Sequence, residues 1–265
     1  MFSPEAYASE IITWIKNYFA ETKGKTAVIG ISGGKDSAVC AALCKEALGK
    51  DNVLGVLMPN GEQADIQDSI DVCEHLGIRY RTCNIAEVYK AIVEQASIDP
   101  FGNVAGEPLQ PSQRTLINIA PRLRMTLLYA IAQSEDEGRV CCCSNLLEAL
   151  LGWGTLWGDT VGDFAPLRNF TVSQVVAMGL ALELPRRIVC KTPADGLTGK
   201  SDEENLGLRY DDVEHFIGDE ASEMPYSMVE RIAGSAFKRD LLAGIPAPKG
   251  ASEGVPYIYI CKEEK

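Results

Sequence analysis

The sequence predicts an α/β protein, a doubly wound parallel sheet with helices on both faces. Three observations carry this expectation. Short apolar runs alternate with helical patterns through the first two-thirds of the chain. A glycine-rich turn separates the first apolar run from a helix, which is where open α/β sheets hold their ligands. The 265 residues, 46% apolar and 23% charged, suffice for a sizeable core, read here as one domain over 1–265.

In chain order, Tyr7, Ile11, Ile12, Ile15, Tyr18 and Phe19 follow helical spacing, with acids and lysines spread among them. That pattern reads as an amphipathic helix and not as a signal peptide. "TAVIGI" (26–31) reads as a buried strand, followed by a helix from Lys35 to Leu48. A strand at 52–58, a helix over 63–76, a strand at 79–85 and a helix over 86–96 come next. "DPFGNVAGEPLQPS" (99–112) is a Pro/Gly loop. Residues 113–133 form a long helix, with a kink expected at Pro121. "RVCCCS" (139–144) is the fourth strand, and beyond Asn145 the pattern turns mostly helical.

Composition removes several function classes. A net charge of −12 argues against nucleic-acid binding, which needs basic surface to replace counterions. No apolar run reaches the ~18 residues of a membrane span, and a cytoplasmic protein is expected. Nine dispersed cysteines without a CxxC pair, and two histidines, argue against a structural zinc site and a disulfide framework. Cys141, Cys142 and Cys143 read as a buried strand using cysteine as a small hydrophobe, with a redox or sulfur-transfer role as the alternative.

The stretch "AVIGISGGKDSAVC" (27–40) poses the functional question. Gly33 and Gly34 let backbone amides close on an anion, and the following helix N-terminus favours negative charge. Ser32 and Ser37 offer hydroxyls, and Asp36 offers a hard oxygen ligand for Mg²⁺. A Walker A loop is excluded, because Ile29 stands where its first glycine belongs and Asp36 where its Ser or Thr belongs. The Rossmann GxGxxG pattern also fails. The remaining S-G-G-x-D-S, residues 32–37, resembles the pyrophosphate loop of ATP pyrophosphatases, which transfer AMP to an acceptor oxygen.

Four further segments narrow the resemblance. "NIAPRLRMTLLY" (118–129) resembles the N-I-x-A-R-x-R-M helix of NAD synthetases. "SNLLEALLGWGTLWGDTVGDFAPL" (144–167) is similar to their segment running from a metal-binding glutamate through a G-D-G-x-x-D turn. "KTPADGL…SDEENLGLRYDDVEHFI" (191–217) matches P-x-A-D-L…D-E-x-x-L-G-x-x-Y-D-x-x-D. "GSAFKRDLLAGIP" (234–246) is similar to the S-x-H-K-R element.

The resemblance implies an adenine nucleotide alpha hydrolase-like fold and ATP-dependent amidation of nicotinic acid adenine dinucleotide (deamido-NAD) to NAD. In that reaction the acid is adenylated, pyrophosphate leaves, and ammonia displaces AMP. The chain has no room for a glutamine amidotransferase domain, so ammonia is the expected nitrogen source. The resemblance places ATP on Gly30, Ile31, Ser32, Gly33, Gly34, Lys35, Asp36, Ser37, Cys143, Lys191 and Thr192. It places deamido-NAD on Arg122, Leu156, Asp163, Phe237 and Lys238, and Mg²⁺ on Asp36 and Glu148. Asp36, Glu148 and Lys191 are then the catalytic candidates. The plainer alternatives are an exposed helix glutamate at Glu148, an intersubunit salt bridge at Arg122, and solvated lysines at 191 and 238.

Departures from the family pattern matter. Leu156 and Val172 stand where relatives often carry lysine, Phe237 replaces a histidine, and Pro121 interrupts the arginine helix. Lys200, in a loop read as a closing element, is a candidate, together with Lys191, to restore the missing charge. Trp153 and Trp157 are read either as a stacking wall for a ring or as packed core. The near-complete apolar surround of residues 113–133 predicts a homodimer through that helix. Two rival readings stay open: an ATP pyrophosphatase with another acceptor, and a non-catalytic nucleotide-binding protein of the same fold.

Overall fold

Four parallel strands form one sheet in the order β3-β2-β1-β4, with β1 Thr26–Gly30, β2 Val53–Leu57, β3 Arg79–Thr82 and β4 Gly138–Val140. The computed structural model describes residues 2–97, 110–192, 201–218, 230, 232 and 234–250. The chain steps outward from β1 to β3 and then returns to the other side of β1. The order therefore reverses between β1 and β4, which makes the carboxyl end of β1 the switch point where such sheets bind ligands.

Period-two alternation along the strands divides the core into two layers. Ala27, Ile29, Val53 and Leu57 face the layer formed by α1 (Pro4–Glu21), α2 (Lys35–Leu48) and α3 (Ile66–Leu76). Val28, Leu54 and Val56 face the opposite layer, with Met125, Leu128 and Ile131 of α5 (Gln113–Ala132). The helix α4 (Ala86–Ser97) packs beside α5. Gly55 falls on the first face, where an added Cβ would lie 2.9 Å from Cys73 Sγ. Backbone and helix approach closely there.

Most of the expected elements form, with shifted ends. The strand expected over 79–85 pairs only at Arg79–Thr82, at the exposed sheet edge. The strand expected over 139–144 stops at Val140, after which Cys141 forms a single bridge to Phe164. α5 runs unbroken through Pro121, and the tight spot beside it is filled by Gly158, whose added Cβ would lie 2.9 Å from Pro121 Cβ.

The second half supplies α6 (Leu146–Leu151), α7 (Val172–Ala181), α8 (Arg186–Val189), α9 (Asp202–Leu206), α10 (Tyr210–Gly218) and α11 (Ala236–Ala243). Val172 is fully buried with Leu147, Leu151, Leu206, Tyr210 and Val213, so this position is a core position here. Glu214 on α10 accepts hydrogen bonds from the Ser173 amide (2.9 Å) and the Ser173 hydroxyl, closing the N-terminus of α7. Burial pushes its carboxyl above the usual range, against the hydrogen bonds from Ser173. The final acidic residue of the 191–217 motif thus fastens two helices together.

Candidate active site

The turn between β1 and α2 is held by its own serines. Ser37 Oγ accepts from the Ser32 amide at 3.2 Å, donates to the Gly34 carbonyl at 3.2 Å and lies 3.1 Å from Ser32 Oγ. The Gly34 amide donates to Ser32 Oγ at 3.3 Å. Gly33 has φ +80, and a Cβ there would lie 2.9 Å from Asp68 Cβ and 3.0 Å from the Ser69 amide nitrogen. Both conformation and space demand glycine. Gly34 caps α2 without any side-chain hydrogen bond to its first amides, leaving the helix end suited to an anion. Gly30 and Ile31 sit behind this turn: Ile31 is buried, and its amide still pairs with the Val56 carbonyl at 3.0 Å. Only their backbone faces the loop chemistry.

A single polar chain links the two carboxylates expected to hold a metal. Lys35 is buried and its Nζ lies 2.8 Å from Asp36 Oδ2. Asp36 Oδ1 accepts from Asn145 Nδ2 at 3.1 Å. The Asn145 amide in turn donates to Glu148 Oε2 at 3.1 Å, while Asn145 Oδ1 accepts from the amides of Leu147 and Glu148. Asp36 and Glu148, 112 positions apart in sequence, are therefore joined through one residue, Asn145. The motif reading missed Asn145. Its signal was present as N-x-x-E before an apolar run, a capping box. Hard carboxylate oxygens on a partly open network fit Mg²⁺ chemically.

Other expected ATP contacts lie around this turn. Lys191 Nζ pairs with Asp65 Oδ2 at 2.7 Å and Asp68 Oδ2 at 2.6 Å, and Asp68 is the residue that crowds Gly33. Burial lowers the Lys191 pKa, but the two carboxylates outweigh it and the net shift is upward. Arg187 adds pairs to Asp68 (2.9 Å) and Asp71, so α8 is clasped to the start of α3. Lys191 is thus not a solvated lysine, and Thr192 follows it at the surface. Cys143 is half-buried, and hydrogen bonds from the Cys141 and Cys40 thiols lower its pKa. Lys200 lies outside the described residues.

The expected dinucleotide residues gather around the 152–163 turn. Arg122 is exposed, and its Nε donates to the Leu156 carbonyl at 3.0 Å. The enclosed arginine is Arg124, which donates to the Met58 carbonyl at 3.0 Å; burial lowers its pKa, opposed by the nearby Asp159. Lys238 Nζ is held by the carbonyls of Gly152 (2.9 Å) and Gly154 (2.6 Å), beside Phe237, which is exposed. Asp163 accepts from the Val140 amide at 2.7 Å and from Tyr129 Oη at 3.4 Å, tying the turn to the end of β4. Trp153 packs against the α6–α10 cluster, whereas Trp157 stands exposed. The two tryptophans form no common wall.

This arrangement can hold a triphosphate on backbone amides next to a hard cation. Comparison with known proteins gives its family. The NAD synthase family model matches residues 7–241. The NH(3)-dependent NAD(+) synthetase of Thermococcus kodakarensis is 40% identical over 201 residues, covering 76% of this chain and 74% of that protein. Among solved structures, the NMN synthetase from Francisella tularensis superposes with a TM-score of 0.78 at 30% identity, covering 90% of this chain and 97% of that one. The NH3-dependent NAD synthetase from Campylobacter jejuni, in complex with nitrate, shares the fold at a TM-score of 0.70 and 24% identity, covering 93% and 98%. The chain belongs to the NAD synthase family.

Proposed function

We infer that this protein is a carbon–nitrogen ligase that amidates deamido-NAD to NAD with ATP and ammonia. The observation that carries this reading is the S-G-G-K-D-S turn at the switch point, with Asp36 linked through Asn145 to Glu148. In the proposed reaction the nicotinate carboxylate attacks the α phosphorus of ATP, pyrophosphate leaves, and ammonia then displaces AMP from the acyl carbon. Ammonia as donor follows the NH(3)-dependent relatives. The amides and hydroxyls of residues 32–37 bind and orient the phosphates, and Lys35 offsets the charge of Asp36. Mg²⁺, held by Asp36 and Glu148, would supply neutralisation of the departing pyrophosphate. Arg122, Lys238 and Asp163 hold the 152–163 turn in place for the acid substrate.

The reading extends to a homodimer through α5 and to a cytoplasmic location, where ATP is made and cysteines stay reduced. Every cysteine among the described residues is a free thiol.

One observation favours a second acceptor. The NMN synthetase superposes with the higher TM-score of the two structures compared, 0.78 against 0.70. Nicotinic acid mononucleotide, the acid corresponding to NMN, undergoes the same chemistry on a smaller molecule. Its recognition would need contacts to one nucleotide rather than two.

Purified protein with ATP, Mg²⁺ and ammonium, offered each acid separately, decides between them by mass of the amide product. NAD formation at the higher kcat/KM supports the first reading, and NMN formation the second. Asp36→Asn is expected to cut pyrophosphate release about 100-fold or more while leaving the circular dichroism spectrum unchanged. Release at the parent rate would remove Asp36 from the mechanism.

A further inference from the structure

Cys40, Cys44, Cys141 and Cys143 meet beside the first turns of α2, and the amidation gives none of their sulfurs a chemical step. Local geometry explains the meeting. Cys40 and Cys44 follow Asp36 at successive four-residue steps, so all three share one face of α2. Cys141 and Cys143 alternate with Cys142 along the extended chain after β4, so both point toward that face. Cys142 turns away into a separate cluster with Ala165 and Leu242. The dispersed cysteines that argued against a metal site in sequence are thereby brought together.

The Sγ atoms of Cys40, Cys141 and Cys143 lie within 4.8 Å of one another. The thiol of Cys44, one turn further along α2, reaches Cys141. In a tetrahedral zinc site with Zn–S bonds of about 2.3 Å, sulfurs stand about 3.8 Å apart. Each of these three sulfurs therefore needs to move by about 1 Å or less. The donor set is entirely sulfur, without a carboxylate or imidazole, and such a set selects thiophilic over hard cations. Cys143, only half-buried, leaves a way in.

We propose that these sulfurs form a site for a thiophilic d¹⁰ cation of the Zn²⁺ class, with Cys40, Cys141 and Cys143 as ligands and Cys44 as the fourth. Binding would release the thiol protons to solvent. The bound cation would brace the first turns of α2 against the segment leading to Asn145. Its all-sulfur donor set differs from the carboxylates Asp36 and Glu148 expected to hold a hard cation.

The test uses the full chain, stripped with a chelator under reducing conditions and titrated with Co²⁺ as a spectroscopic stand-in. One equivalent should bind with a thiolate-to-cobalt charge-transfer band and the visible bands of tetrahedral cobalt. Zn²⁺ should displace it, and excess Mg²⁺ should leave the spectrum unchanged. Cys143→Ser and Cys40→Ala should each weaken binding about tenfold or more, whereas Cys83→Ser should not. In the parent protein, needing no variant to fold, Zn²⁺ should protect Cys143 from alkylation by a maleimide, read by peptide mass. Absence of the charge-transfer band overturns the proposal, as does uptake that ignores both variants or alkylation that ignores Zn²⁺. A disulfide among these cysteines formed in air, without metal uptake in the reduced protein, replaces it with a redox pair.

Discussion

Trp157 holds φ +63 with 56% of its surface exposed, a conformation that bulky side chains rarely adopt. Its neighbours enforce it. The Leu156 carbonyl is bound by Arg122, Gly158 is pressed against Pro121, and Lys238 grips the carbonyls of Gly152 and Gly154. Such strain costs about 1–3 kcal/mol and persists where the surroundings over-determine it. Glycine at this position relieves the strain but loses about 0.5–1 kcal/mol through its freer unfolded chain. Trp157→Gly is therefore expected to leave stability unchanged or to raise it by up to about 2 kcal/mol. If the exposed indole stacks on the acid substrate, the same variant should raise KM for that acid without changing KM for ATP. A melting temperature that falls by many degrees would show that the ring contributes packing rather than strain.

At the scale of elements, legibility followed local signals. The bounds of α2, Lys35–Leu48, were readable because Gly34 and Gly49 punctuate both ends. The fourth strand was overextended because Cys141–Cys143 look β-forming, whereas after Val140 the chain leaves β1 and bridges once to Phe164, a partner distant in sequence. The motif pointed to Arg122, but helical spacing places Arg124 four residues from both Ala120 and Leu128, on the buried side, and that periodicity could have found it. The ion pairs clasping α8 to α3 were not legible, because they join residues more than a hundred positions apart. They carry a pH signature. Hydrogen bonds from Lys191 first, and then Gln63, hold the Asp65 carboxyl below its ordinary value of 3.8. A depressed acid contributes stability that is present above the unfolded value and lost as pH falls through the folded one. The Lys191→Met protein should therefore lose less stability than the parent between about pH 5 and pH 3, measured by urea unfolding at each pH. Identical acid limbs would mean that solvent screens the clasp completely.

At the scale of the whole molecule, the sheet covers one side of α5 and leaves another. Ile119, Ala120, Met125, Leu128, Ile131 and Ala132 are buried against the core. Leu116, Leu123 and Leu127 are only half-covered and Ala130 is exposed, although the spacing of seven, four and three residues sets all four along one stripe. An apolar stripe continuous with a buried face is suited to a second copy of the same helix, because a two-fold axis lets one patch serve both subunits. The dimer expected from sequence would use this stripe, with the exposed Arg122 and Thr126 at its border. Ala130→Glu is the sharpest probe. Glutamate keeps high helix propensity, so the helix itself should survive, yet related copies would bring two like charges together at the axis. Light scattering at micromolar concentration should give a dimer mass for the parent and a monomer mass for Ala130→Glu, with matching circular dichroism. A monomeric parent would leave the stripe solvated and end the dimer reading. A dimer that withstands the charge would move the interface to another face of the molecule.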